Sequence, residues 1–223
     1  MQMGTGARRG IASRDIRDER GLRLVHGNEL LAEADAEYEP GARRENPRYT
    51  VAAVRRALSG VAAPGGLPDA VGDAFDAWAG YLALDALVAG RDRHHENWAV
   101  VRTAQTVQLV PSFDHGNAFG FQETEDAVER VSADTAALDR WARRGRSHHF
   151  AGRPELVALA DEALALASRE ARDYWRGRIA SLTLPDAEAL VTAVPTELVS
   201  EARGRFIISL LDINRRRLTD GHS

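Results

Sequence analysis

No lysine occurs anywhere in the 223 residues; all 29 Lys/Arg positions are arginine. That absence removes any Schiff-base amine and any lysine that grips a nucleotide phosphate, chemistry that arginine does not reproduce. The accompanying bias toward Ala, Arg, Gly, Asp and Val is what a GC-rich coding sequence produces. Cysteine is also absent, which excludes disulfides, thiolate metal sites and a cysteine nucleophile. No apolar run approaches the roughly 20 residues that cross a bilayer. The first residues lack the basic-then-apolar pattern of a signal peptide. The formal net charge of −4 offers no excess positive charge to draw nucleic acid. The expectation is a cytoplasmic bacterial protein with neither a direct nucleic-acid nor a membrane partner. Its 44% hydrophobic content supports a real core, in one large or two small domains.

Met1 to Gly10 holds Gly4-Thr5-Gly6 and Gly10, a faint glycine-rich pattern without the preceding strand that a phosphate loop needs. Ile11 to Ile16 alternates briefly, as a short strand does. Asn28-Glu29-Leu30-Leu31 suits a short helix, and residues 40–49 read as loop. Thr50 is placed to cap a helix from Val51 to Leu58, closed by Gly60. Pro64-Gly65-Gly66 and Pro68 form a break. Asp69 is then placed to cap a longer helix to about Ala89, with Val71, Phe75, Trp78, Leu82 and Leu87 as its buried stripe. Residues 98–102 and 107–110 read as two strands joined by the polar link Thr103–Thr106, a hairpin. Residues 123–147 read as helix and loop, with His148-His149 as surface residues. Residues 156–167 and 174–182 read as helix, Pro185 and Pro195 fit the first turns of further helices, and the last helix runs from about Thr196 to Leu218. There Leu198, Phe206, Leu210 and Ile213 face inward, and Arg215-Arg216-Arg217 complements the helix dipole as a solvated end. The fold class expected is mainly α, with a small β-hairpin between a buried helix and a helical bundle.

The hairpin matters because of what flanks it. Gly90-Arg91-Asp92-Arg93-His94-His95-Glu96-Asn97 precedes its first strand, and Pro111-Ser112-Phe113-Asp114-His115-Gly116 follows its second. At roughly 3.3 Å per residue the outward and return strands nearly cancel, so the two loops should lie side by side. Three oxygen-bearing groups then converge. A carboxylate on a loop accepts a proton from an attacking hydroxyl, while an amide oxygen and a second carboxylate are hard ligands suited to Mg²⁺. Phosphoryl transfer needs that set, because its catalysis is mainly positioning and electrostatics. Phe113 would anchor the second loop, and Gly116 would let it turn beside Asp114.

These two segments resemble the catalytic and metal loops of HipA-like kinases. The wider superfamily shares the arrangement, including phosphatidylinositol kinases with an Asp-Arg-His-x-x-Asn loop. The resemblance spans about residues 10–220. It implies that Asp92 is the catalytic base, that His94 braces the catalytic loop, and that Asn97 and Asp114 bind the cofactor pair ATP and Mg²⁺ through the metal. It further implies a residual N-lobe end and hinge over residues 1–49, with Ile11–Asp15 and Leu24–Leu31 at the sheet end and adenine hinge, and a helical C-lobe over 50–223. The activity implied is that of a serine/threonine protein kinase acting on a protein substrate. An antitoxin-like partner protein, as in toxin–antitoxin pairs, is compatible with the resemblance. The departure is the missing N-lobe with its lysine, so the chain is expected to be truncated or inactive by itself.

Two other readings follow from the same residues. A pseudokinase would keep the acidic set as a non-catalytic binding module. A metal-dependent phosphohydrolase would gather Asp92, His94, His95, Asp114 and His115 around a metal. Against that cluster, adjacent His94 and His95 should point in different directions.

Overall fold

A computed structural model describes residues 22–42 and 44–220. The glycine-rich pattern at residues 1–10 and the strand expected at 11–16 lie outside these residues. The mainly α expectation agrees with the structure: nine helices and one small antiparallel sheet among the described residues.

The sheet has the order β1 (Arg23–His26), β2 (Ala99–Arg102), β3 (Val107–Leu109). The hairpin is present, with Arg102 facing Val107 and the Thr103 amide donating to the Thr106 carbonyl at 2.9 Å. Sequence reading did not anticipate β1 beside it. Arg23 pairs with Arg102 and His26 with Ala99. The far edge of β3 is covered by the segment around Ala62, whose amide donates to Val107 and whose carbonyl accepts from Leu109.

Helix α1 (Gly27–Ala34) follows β1 directly, and α2 (Val51–Ala57) is capped by Thr50, whose hydroxyl accepts from the Ala53 amide. The central helix α3 (Ala74–Val88) starts later than expected, and Asp73 rather than Asp69 caps it. The residues between them are held in a turn, with Val71 donating to Pro68 and Gly72 donating to the Asp76 carboxylate. Nor is α3 striped. It is buried almost all round, with only Leu84 exposed, because helices α6 (Leu156–Leu166), α9 (Glu201–Asp220) and the helix over Arg169–Ala180 pack against it. Its end is turned by Ala89 in the left-handed region, φ 54°, and not by Gly90.

Helices α4 (Glu125–Ser132) and α5 (Thr135–Arg143) pack on α9. Helix α7 (Arg169–Ala180) is separate from α6, because Ser168 caps it. The Ser168 amide and hydroxyl both donate to the buried Asp76 carboxylate, at 2.8 and 2.7 Å. That locks the α6–α7 junction onto α3. Pro185 does sit in the first turn of α8 (Leu184–Thr192), but Pro195 starts no helix. It heads a single turn in which Leu198 and Val199 donate to its carbonyl, and Ser200 then accepts from Arg203 at the start of α9. Leu198 is accordingly 55% exposed, while Phe206, Leu210 and Ile213 are buried as expected. The basic end of α9 is not simply solvated, since Arg217 bonds to Glu155 in a mostly buried ion pair.

Close approach of α3 and α7 depends on Gly80. A Cβ there would lie 2.3 Å from the Trp175 ring, whereas one at Gly177 would meet nothing. Gly80→Ala is therefore expected to destabilise by about 1–3 kcal/mol through overpacking. Gly177→Ala should be neutral or stabilising by up to about 1 kcal/mol, because Ala is the better helix former. Urea denaturation of both variants checks the opposite signs.

Candidate active site

The loop from Gly90 to Asn97 carries no regular structure, so its shape comes from side chains beneath it. Arg93 is the main brace. It is buried, and its Nε and Nη2 donate to the two carboxylate oxygens of Asp85 at 2.7 and 2.8 Å, while Nη1 donates to the Asn97 carbonyl at 2.8 Å. Burial pushes the Asp85 carboxyl upward, and the Arg93 charge and hydrogen bonds oppose it. Burial also disfavours the Arg93 charge, but Asp85 more than restores it. We read the pair as ionised, since each carboxylate oxygen receives its own charge-assisted bond.

Other side chains pin the loop from below. The Tyr49 hydroxyl donates to the Arg93 carbonyl at 3.1 Å and accepts from Trp98 Nε1 at 3.1 Å. His95 is buried and shares a 2.6 Å hydrogen bond with the Tyr38 hydroxyl. The Asn28 amide donates to the His95 carbonyl, and His26 Nδ1 donates to the Glu96 carbonyl at 2.9 Å. Gly27 sits where a Cβ would be 2.1 Å from Trp98. Residues 26–28, at the β1–α1 junction, thus hold one side of the loop.

On this base the four sequence-selected residues take distinct places. Asp92 and Asp114 line one small cavity. Asn97 is buried, and its Nδ2 donates to the Asp92 carbonyl at 2.7 Å. That bond uses the amide's donor end and leaves its oxygen as the end suited to a cation. Asp114 is exposed and itself adopts the left-handed conformation, φ 56°. The tight turn thus falls on Asp114 and not on Gly116. Phe113 is half-buried, its ring edge against His26. Asn97 is not part of the cavity lining, and neither is His94. Its Nδ1 accepts from the Glu96 amide at 3.1 Å, and its ring lies 5.1 Å from that of His149.

His149 is the residue that sequence reading misplaced. It is only 6% exposed, and its Nε2 donates to Asp92 Oδ1 at 2.7 Å. The Asp92 side chain, 38% exposed, keeps its other face open. Asp85, Arg93 and Tyr49 were missed as well. One signal existed for Asp85: it is one of only two carboxylates in a largely apolar helix, and it stands about one turn before the loop.

The oxygen types of Asn97 and Asp114 are those a hard divalent cation takes. Mg²⁺ typically takes one or two protein oxygens and completes its shell with water and phosphate, which an amide oxygen and an exposed carboxylate satisfy. The five-residue cluster of the hydrolase reading is not assembled. His94 and His95 diverge at 87° between ring planes, with His95 turned down to Tyr38. Among the described residues, no three His, Cys, Asp or Glu side chains are grouped to hold a metal. No described helix is long and apolar enough to cross a membrane.

No family model and no curated protein matches the chain. Among solved structures it is similar to a Helicobacter pylori proinflammatory kinase, CtkA, with a TM-score of 0.64 at 15% identity. The match covers 92% of this chain and 66% of that one. The class defined by the likeness is a kinase-like fold. This chain spans about two thirds of the length of the kinase it matches.

Proposed function

We propose that this chain is the base-and-metal lobe of a HipA-like ATP-dependent phosphotransferase of the protein serine/threonine kinase type. The observation that carries the reading is the union of Asp92, Asn97 and Asp114. One hydrogen bond joins the first two, and one cavity is lined by both carboxylates. Asp92 orients the acceptor hydroxyl and takes its proton. Asn97 and Asp114 offer oxygens to Mg²⁺, which when bound neutralises charge on the transferring phosphoryl group. Arg93 and Asp85 keep the loop in register, and Leu24–Leu31 would serve as the hinge beside the adenine.

The absent lysine favours a second reading, a pseudokinase that binds nucleotide or a partner protein without transfer. One experiment addresses both. Mg-ATP titrated calorimetrically into the purified chain should bind in a Mg²⁺-dependent way, and Asp114→Ala should abolish that binding without unfolding the protein. Binding with no phosphate transferred selects the pseudokinase. Nucleotide binding indifferent to Asp114→Ala, or Zn²⁺ held tightly without nucleotide, overturns the kinase-type site.

A further inference from the structure

Two spaces meet at Asp92. The inner one, which Asp114 also lines, has a volume of only about 10 Å³, room for roughly one water. The outer one holds about 190 Å³. A phosphoryl group is larger than a water, so it does not fit inside the inner cavity. It has to stand at the wall that the two spaces share. Asp92 and Asn117 are the two residues that line both, and Asp92 is the carboxylate that would receive the acceptor proton.

Hydrogen-bond donors are scarce at that wall. The charges of the outer cleft do not choose an occupant, since Arg44 and Arg91 stand against Asp92 and Glu123. The chain has no lysine. Arg93, the arginine of the inner cavity, commits all three of its guanidinium nitrogens to Asp85 and Asn97. Arg91 lies over the Trp141 ring at 5.2 Å and is drawn toward Glu123. His115 lines the inner space alone, and Arg44 the outer one alone. Asn117 differs from all of these. It is half-buried, and among the described residues no hydrogen bond engages its carboxamide. Its two N–H donors stay available at the point where a phosphoryl group passes from the metal side to Asp92.

We propose that Asn117 is a substrate-contacting residue whose Nδ2 donates to a non-bridging oxygen of the γ-phosphate of ATP. The assignment rests on the kinase-type reading of the site. In the transfer step the acceptor oxygen bonds to phosphorus, and the bond from phosphorus to the bridging oxygen breaks with its electron pair leaving on ADP. The hydroxyl proton goes to Asp92. Asn117 neither gives nor takes a proton; it holds the moving group in line between the metal side and Asp92, in a chain that has no lysine to do so.

Calorimetric titration of the full chain with Mg-ATP and with Mg-ADP tests this, because ADP lacks the group that Asn117 would hold. The parental chain should prefer Mg-ATP. Asn117→Ala should bind Mg-ATP about tenfold more weakly, the scale of one hydrogen bond to a charged group, and Mg-ADP within about twofold of the parent. Asn117→Asp keeps the size and an accepting oxygen but loses the donor, so its loss for Mg-ATP should be at least as large. A merely structural role would weaken both nucleotides alike. Equal losses for the two nucleotides, or parental Mg-ATP affinity in either variant, would overturn the contact. Failure of the kinase-type reading shows elsewhere: a parental chain that binds no Mg-ATP overturns the site and this contact together, whereas a variant without the selective loss overturns the contact alone.

Discussion

Arg93→Met should cost the fold about 3–5 kcal/mol, the penalty for stranding one partner of a buried ion pair. Asp85 would remain in the interior with neither of its charge-assisted bonds, and the Asn97 carbonyl would lose its donor. Against a total stability of about 5–15 kcal/mol, that leaves the variant near the unfolding threshold. The double variant Asp85→Leu/Arg93→Met removes both charges and should recover much of the loss, since an apolar pair of similar volume is often neutral or stabilising. The pH dependence has a definite sign. With Arg93 gone, burial pushes the Asp85 carboxyl further up, so the folded state binds a proton that the unfolded chain has released above about pH 4. Stability of Arg93→Met should therefore fall as pH rises from that point, and its deficit should be larger at neutral pH than in mild acid. Urea unfolding at two pH values measures both effects. A deficit under 1 kcal/mol, or one that grows on acidification, would show that Arg93 does not carry the loop.

What was legible in the sequence was local. Thr50 announces α2 because a hydroxyl two or three residues before an amide can reach it unaided. The hairpin shows in its alternation and polar link, and with it the adjacency of the Asp92 and Asp114 loops. The misread features all depend on distant partners. Asp69 looks as good a cap as Asp73 until Gly72 is found bonded to Asp76. Pro195 looks like a helix start until Ser200 is seen to cap the chain five residues later. His149 looks like surface in an arginine-rich stretch, yet it lies against a carboxylate 57 positions away. Arg93 suggests a loop ion pair with its neighbour Asp92, but burial selects Asp85, where both guanidinium faces are satisfied. Periodicity and spacing carry no information about such pairings; only the packed chain does.

On the proposed phosphotransferase reading, wherever transfer is measurable, Asp92→Asn is expected to lower it by about 10²–10⁴, the usual contribution of a positioned base, with little change in KM for Mg-ATP. The substitution isolates chemistry from position. An asparagine oxygen can still accept from His149 Nε2, and the Asp92 backbone carbonyl that holds Asn97 is untouched. Only the capacity to take a proton is lost. His149 then separates position from chemistry. Its 2.7 Å bond to one carboxylate oxygen fixes the Asp92 rotamer and leaves the other oxygen for the acceptor. His149→Ala should reduce kcat by about tenfold, the scale of one lost hydrogen bond to a charged group. His149→Gln, which keeps a donor near the same point, should restore most of it. Steady-state transfer of labelled phosphate, read as kcat and KM separately, distinguishes the outcomes. An Asp92→Asn protein that transfers at the parental rate would remove Asp92 from the role of base. A His149→Gln protein as impaired as His149→Ala would show that packing around the ring, and not the bond to Asp92, is what His149 supplies.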